Sequence, residues 1–299
     1  MRLRQIEYFI AICESGSFTV AAQELLIAQP SLSQQIRQLE RELGADLLNR
    51  GRHGVSLTAA GRVFLPRAEA VIAAVESARA AVADLASGGG GELHILTVRS
   101  VASAVLPPGL VRWHDQFPET MLRLHDYSHR LKLESAMREG RGDLAIGPRP
   151  EIWNGEIVPL GYESLVVVGR GPFPKAEATS QELRTAPWIH FEAEQGMSEV
   201  LDWAAHSLGV TPRVVARVGQ VAAAVRLAVE GIGLTIVPAN AVPHHWREHV
   251  RTTEPPLFRE LVAYSRGPMD PVAQRFTESM VNVELPLLRE APPPGALVR

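Results

Sequence analysis

Residues 88–91 are four consecutive glycines, and no regular element is expected to run through them, because glycine loses more backbone freedom on ordering than any other residue. They divide the 299-residue chain into two regions of different periodicity. Ahead of them apolar residues recur every three or four positions; behind them short β-branched runs alternate with helical stretches. No Lys-Ser/Thr pair follows the glycines and a strand comes next, so this is not a phosphate loop but a flexible joint. The length suits two or three domains, and 46% apolar with 21% charged residues is enough to bury a core without staples.

Residues 5–15 read as a first helix, with Ile6, Phe9, Ile10 and Cys13 on one face and Gly16 as its stop. Ser17 is an N-cap for a second helix to about residue 25, with Phe18, Ala21, Ala22 and Leu25 inward. A tight connection leads into Pro30, which suits the first turn of a helix. That third helix runs to Leu43, burying Leu32, Ile36, Leu39 and Leu43, and Gly44 ends it. Its other face is expected to carry Ser31, Ser33, Gln34, Arg37, Gln38 and Arg41. A helix-turn-helix sets such a helix in the major groove of DNA, with its first residues, here Gln29, Ser31, Ser33 and Gln34, at base edges. Glutamine suits adenine, arginine suits guanine or phosphate, and serine adapts to either. Singly, each of these residues reads as ordinary solvated surface; the combination carries the DNA-binding reading. Residues 47–48 and 55–57 frame the turn Gly51-Arg52-His53-Gly54, which reads as a small β-wing.

Charge contributes little to this reading. The chain carries a net −3, and residues 1–67 hold eight arginines against six acids. Arg50 and Arg52, with no acid beside them, are the more useful local signal.

A long helix opens at Thr58. Phe64, Ala68, Val71, Val75, Ala78, Val82 and Leu85 alternate four and three apart, the a/d seam of a coiled coil, and predict a dimer contact rather than packing on a small head. Pro66 predicts a kink near its start. From Glu92 the pattern is βαβ in two similar units, ending in a helix capped by Asp270 with Pro271 at its first position. The stretch from Ala291, with Pro292-Pro293-Pro294, is expected to be disordered.

At this point a resemblance becomes specific. Residues 1–65 resemble the N-terminal domain of the LysR-type transcriptional regulators in the stretches Leu3–Phe9, Gly16–Ala22, Gln29–Ser33 and Ile36–Glu40, then Glu42-Leu43-Gly44, Leu57-Thr58 and Ala60-Gly61. More loosely, Leu106-Pro107-Pro108, Gly142–Ile146 and Gly231–Pro238 are similar to the family's effector domain. The resemblance implies an α/β protein with an all-α-rich head. Its parts would be a winged helix-turn-helix over 1–57, a dimerising linker helix over 58–87, the glycine hinge 88–91, and a two-subdomain, periplasmic-binding-protein-like effector domain over 92–299. Subdomain I would take about 92–162 and 267–290, and subdomain II about 163–266. The resemblance further implies a homotetramer built from dimers on interrupted palindromes of double-stranded DNA, with RNA polymerase as an expected partner. Carried over by position, Gln29, Pro30 and Ser33 are base or backbone contacts and Arg50 and Arg52 wing contacts. Three positions depart from the pattern: Ala28 where many members have Ser or Thr, Gln34 for a common Arg, and Leu48-Asn49 for a common Phe-Glu.

In a two-lobed fold a ligand sits between the lobes, at strand C-termini and helix N-termini, where backbone N–H groups favour anions. Arg99, Ser100, Ser128, His129 and Arg149 are the candidates from one lobe, and Gln195, Met197, Ser198 and Gln220 from the other. They suggest a small carboxylate effector. His244, His245 and His249 read as solvated surface rather than a metal site, and Cys13 as a core thiol. No nucleophile elbow, Walker motif or carboxylate pair appears, so neither an enzyme nor a cofactor is expected. The absence of an apolar leader or a run of about twenty apolar residues, and the single cysteine, predict a cytoplasmic protein without a membrane partner. Two other classes compete with the effector-controlled regulator: a solute-binding protein, which leaves the head unexplained, and an α/β enzyme with a DNA-binding head.

Overall fold

The computed structural model describes residues 1–51, 54–87, 91–173 and 177–299, with backbone alone for 50, 51, 54, 73 and 76–87. The head with its long helix and the α/β region are separate compact units.

In the head, α1 (Leu3–Ser15), α2 (Phe18–Glu24) and α3 (Gln29–Leu43) bury Ile6, Phe9, Ile12, Ala21, Ala22, Leu32, Ile36 and Leu39 against one another. The caps act as the sequence suggests. Ser17 Oγ accepts from Val20 N–H at 3.4 Å, and Gly44 takes φ 68°, a left-handed conformation that lets its N–H close the end of α3. Between α2 and α3 the turn is sharp enough to hold Leu26 at φ 54° with its side chain 91% exposed. The hairpin β1 (Leu48–Gly51) and β2 (Gly54–Leu57) follows, tied to the core by Glu40, whose buried Oε1 accepts from Leu47 and Leu48 N–H at 2.9 and 3.2 Å. Cys13 is part-buried; burial, with Glu69 and Glu14 adding, pushes its thiol up to about 12.

Helix α4 (Ala59–Ser87) runs on through Pro66. It corrects the seam. Phe64 packs against Phe9 with the rings tilted by 59° and their centroids 5.3 Å apart, and Ala68 is 1% exposed within the head core, so these two are spent on the head itself. Val71 is 39% exposed and Val75 half-buried; the side chains of Ala78, Val82 and Leu85 lie outside the described residues.

The α/β region begins with β3 (Glu92–Val98), α5 (Arg99–Ala104), α6 (Pro107–Gln116), β4 (Met121–Tyr127), α7 (Arg130–Arg138) and β5 (Leu144–Pro148). The short α5 starts directly after β3, and Val105 and Leu106 separate it from α6. Parallel β3 lies between β4 and β5, and β5 is buried at every residue, as a central strand should be. Then come β6 (Ile157–Val168), β7 (Glu177–Ala178), α8 (Ser180–Thr185), β8 (Pro187–Phe191), α9 (Met197–Ser207), β9 (Arg213–Val218), α10 (Val221–Val229) and β10 (Thr235–Pro238). Two short 3-10 segments, β11 (Val250–Thr253), β12 (Leu257–Tyr264), α11 (Pro271–Asn282) and β13 (Leu297–Val298) complete it. Asp270 caps α11 as predicted, accepting from Val272 and Ala273 N–H at 2.8 and 2.9 Å.

Two cores mark the lobes, and the antiparallel pair β6–β12 belongs to both. Leu160 and Leu261–Tyr264 pack in the first core; Leu165–Val168 and Leu257 pack in the second. β6 passes from the first core to the second near residue 162, and β12 passes back within its own length, since strands paired in register cross together. Gly161 sits at that crossing with φ 137°, where an added Cβ would stand 2.6 Å from the Leu288 carbonyl. The stretch from residue 291 is also corrected. It is ordered, because Leu297 and Val298 pair in parallel with Leu257 and Phe258.

Candidate functional site

On α3 the residues Gln29, Pro30, Ser31, Gln34 and Arg37 are exposed along one face, and Gln38 is half-buried with Nε2 3.4 Å from Glu42 Oε1. Ser33 departs from the expectation: it is 8% exposed and belongs to the buried face with Leu32 and Ile36. Position 33 follows Leu32 by one residue, and a one-residue step turns about 100° around a helix, so the packed face was wide enough to include it. Of the wing pair, Arg52 lies outside the described residues, and Arg50 is described in its backbone only. Ala28 is the N-cap of α3 and makes no side-chain cap, as its departure from the family pattern suggests. Ala28→Ser should therefore raise the stability of the head by about 1 kcal/mol, read as a higher melting temperature.

In the α/β region the two lobes enclose a cavity of about 110 Å³. Six predicted residues meet there: Arg99, Ser100, Ser128, Arg149, Gln195 and Met197. Three do not. His129 is buried beside the cleft, its Nδ1 accepting from Leu131 N–H at 3.1 Å and its Nε2 3.1 Å from Glu199 Oε1. Ser198 is turned into lobe II. Gln220 lines a second cavity of about 520 Å³ that shares Arg99, Ser100 and Gln195 with the first.

The sequence reading missed Arg130, Arg259 and Arg299, which make five guanidiniums in the wall against the carboxylates of Glu151 and Glu199. Each arginine is held in place by an acid. Arg99 Nε is 3.0 Å from Asp126, Arg149 Nη1 is 3.0 Å from Glu260, and Arg130 reaches Glu134 and Glu151 at 2.7 and 2.8 Å. Arg259, on the crossing strand β12, donates from Nε to Glu163 Oε1 at 2.9 Å and from Nη2 to Ser100 Oγ at 3.3 Å. Arg130 could have been found beside Ser128; nothing local marks an arginine within a buried strand. The start of α9 is less open to an anion than expected. The Gln195 side chain accepts from Met197 N–H at 3.2 Å, and Gly196 N–H donates across to Ser128 O at 2.7 Å.

Among the described residues no group of three or more His, Cys, Asp or Glu side chains could hold a metal ion, and no helix is long and apolar enough to cross a membrane. His244, His245 and His249 fall on a 3-10 segment, where residues four apart do not share a face.

Comparison with known proteins agrees with both halves. Residues 3–62 match the family model for the bacterial regulatory helix-turn-helix protein of the lysR family, and residues 86–283 match the LysR substrate binding domain. The transcriptional regulator ClcR of Pseudomonas putida is 32% identical over 255 residues, 82% of this chain and 85% of its own. AlsR of Bacillus subtilis is 31% identical over 247 residues, 81% and 82% of the two chains. In structure, full-length CbnR complexed with its target DNA superposes with TM-score 0.69 at 25% identity, covering 94% of this chain and 99% of CbnR. The competing solute-binding and enzyme readings give way to this match, since it accounts for head and lobes together. The chain belongs to the LysR family and is a DNA-binding transcriptional regulator with a substrate-binding domain.

Proposed function

We propose that this regulator responds to a small carboxylate held between its lobes, and reads its operator with the exposed face of α3. The excess of guanidiniums over carboxylates in the cleft wall is the observation that carries the ligand class. Arg99 and Arg149 are about half exposed and each holds a single acid, so a ligand carboxylate can share them without stripping a buried pair. Binding would bias the lobe arrangement through β6 and β12, and the linker would carry that bias to the heads as altered operator spacing or bending. The division into head 1–57, linker 58–87, hinge 88–91 and effector domain 92–299 is part of this reading. So are the homodimer, its pairing into a homotetramer, an interrupted palindrome as the site, and contact with RNA polymerase.

Thermal melting of the protein against matched pairs of small carboxylates and their neutral amides tests the ligand class. The acids should raise the melting temperature and the amides should not, and Arg149→Gln should remove the shift. Equal shifts from acid and amide would overturn the carboxylate assignment. On the DNA side, Gln29→Ala and Gln34→Ala should each cost about 1–3 kcal/mol at the operator while sparing non-specific affinity. An unchanged footprint would move the base-reading face elsewhere. Ser33→Ala, by contrast, should act through head stability, because its side chain is packed inward.

A further inference from the structure

We propose that residues 291–299 form a detachable wall of the effector cleft, with Arg299 as one of its anion-binding residues. This rests on the carboxylate reading and extends it to how binding is coupled to the fold.

Three main-chain hydrogen bonds dock the segment on the crossing strand β12 and on Pro256 just before it. Leu297 N–H donates to Pro256 O at 2.9 Å, Arg299 N–H to Phe258 O at 3.0 Å, and Glu260 N–H to Arg299 O at 3.2 Å. The Leu297 side chain packs against the core of lobe II. This register delivers the Arg299 side chain to the cleft wall. There its Nη2 lies 2.9 Å from Glu199 Oε2, and its Nη1 donates to the Glu199 carbonyl. Glu199 is also the acid that faces His129 of lobe I. The segment is thus tied to the strand that crosses between the lobes and to a residue that bridges them.

The electrostatics give the coupling its sign. Burial lowers the affinity of the Arg299 guanidinium for its proton; Glu199 and Glu151 oppose this, while the like charges of Arg130 and Arg259 add to it. An anion held by Arg99 and Arg149 in the same wall and reaching Arg299 offsets that repulsion and so favours the docked segment, with the Arg259–Glu163 pair left intact. A strand of two residues is marginal on its own, which leaves docking within reach of a ligand's binding energy. Linkage is reciprocal: if an anion pins the segment, loss of the segment weakens the anion by the same factor.

Malonate serves as the probe, with the full chain and two measurements, calorimetric affinity and hydrogen exchange at the Leu297 and Arg299 amides. Malonate should slow exchange at both amides about tenfold, and Arg299→Gln should weaken malonate binding by about tenfold. Protection of the Leu297 amide in ligand-free Arg299→Gln shows whether the strand is still docked. Leu297→Gly undocks the strand with Arg299 intact, and it should weaken malonate by the factor seen in wild-type exchange. If malonate binds in an Arg149-dependent way but leaves exchange at 297 and 299 unchanged or faster, the wall is refuted and the carboxylate reading stands. If malonate does not bind the wild-type protein at all, both fall.

Discussion

Replacing Arg259 with methionine is expected to destabilise the α/β domain by about 3–5 kcal/mol, the largest single-residue effect outside the hydrophobic cores. The Arg259 and Glu163 side chains are 5% and 1% exposed, and two guanidinium nitrogens converge on one Glu163 oxygen. Removing the cation strands a carboxylate with neither water nor a counter-charge, and it must either stay ionised at high cost or take up a proton. The double variant Arg259→Met with Glu163→Met should recover most of the loss, because two apolar side chains no longer demand compensation. Urea unfolding of the three variants checks both halves of this. A single variant as stable as wild type would mean that the pair is open to water. The location gives the pair a second consequence. Glu163 lies on β6 and Arg259 on β12, so the bridge fastens the two crossing strands where the cleft rests on them.

If the proposed linker seam pairs two chains, Val71→Asp combined with Val75→Asp should split that dimer and lower affinity for a two-half-site operator by about a thousandfold or more. Phe64 and Ala68 are consumed by the head core, so these two valines are the first seam positions left for a partner. Paired helices would bring four carboxylates into one apolar seam with no cation to meet them. Each head would then hold its half-site alone and lose the gain that comes from tethering two heads. Sedimentation velocity should show the smaller species, and affinity for a single half-site should be unaltered. A variant that still sediments as wild type would place the dimer contact elsewhere.

The helices of the head were legible because their signals are local and agree with one another. Ser17, Pro30 and Gly44 mark ends, and the apolar spacing marks the inward face. The seam was legible as a pattern but not in its use, because a heptad stripe does not say whether a helix packs on a partner or on its own head. Ser33 shows the same limit at one residue, where the width of the buried face decides. In the α/β region the strands could be placed, yet the pairing of β6 with β12 is a long-range fact. Six cleft residues sit at the ends of strands and the starts of helices, where fold rules look for them. Arg259 sits within a strand, and Arg299 on a proline-rich stretch whose order comes from an edge it meets only in the folded chain.

The part-buried thiol of the head has a practical corollary. Burial, with Glu69 and Glu14 adding, pushes the Cys13 thiol up and so disfavours the thiolate at neutral pH. It is the chain's only cysteine, so the native protein is expected to react slowly with maleimides and disulfide reagents, which a thiol titration of the folded chain checks. A cysteine introduced at an exposed position would therefore take a dye or spin label first, leaving the native residue in place.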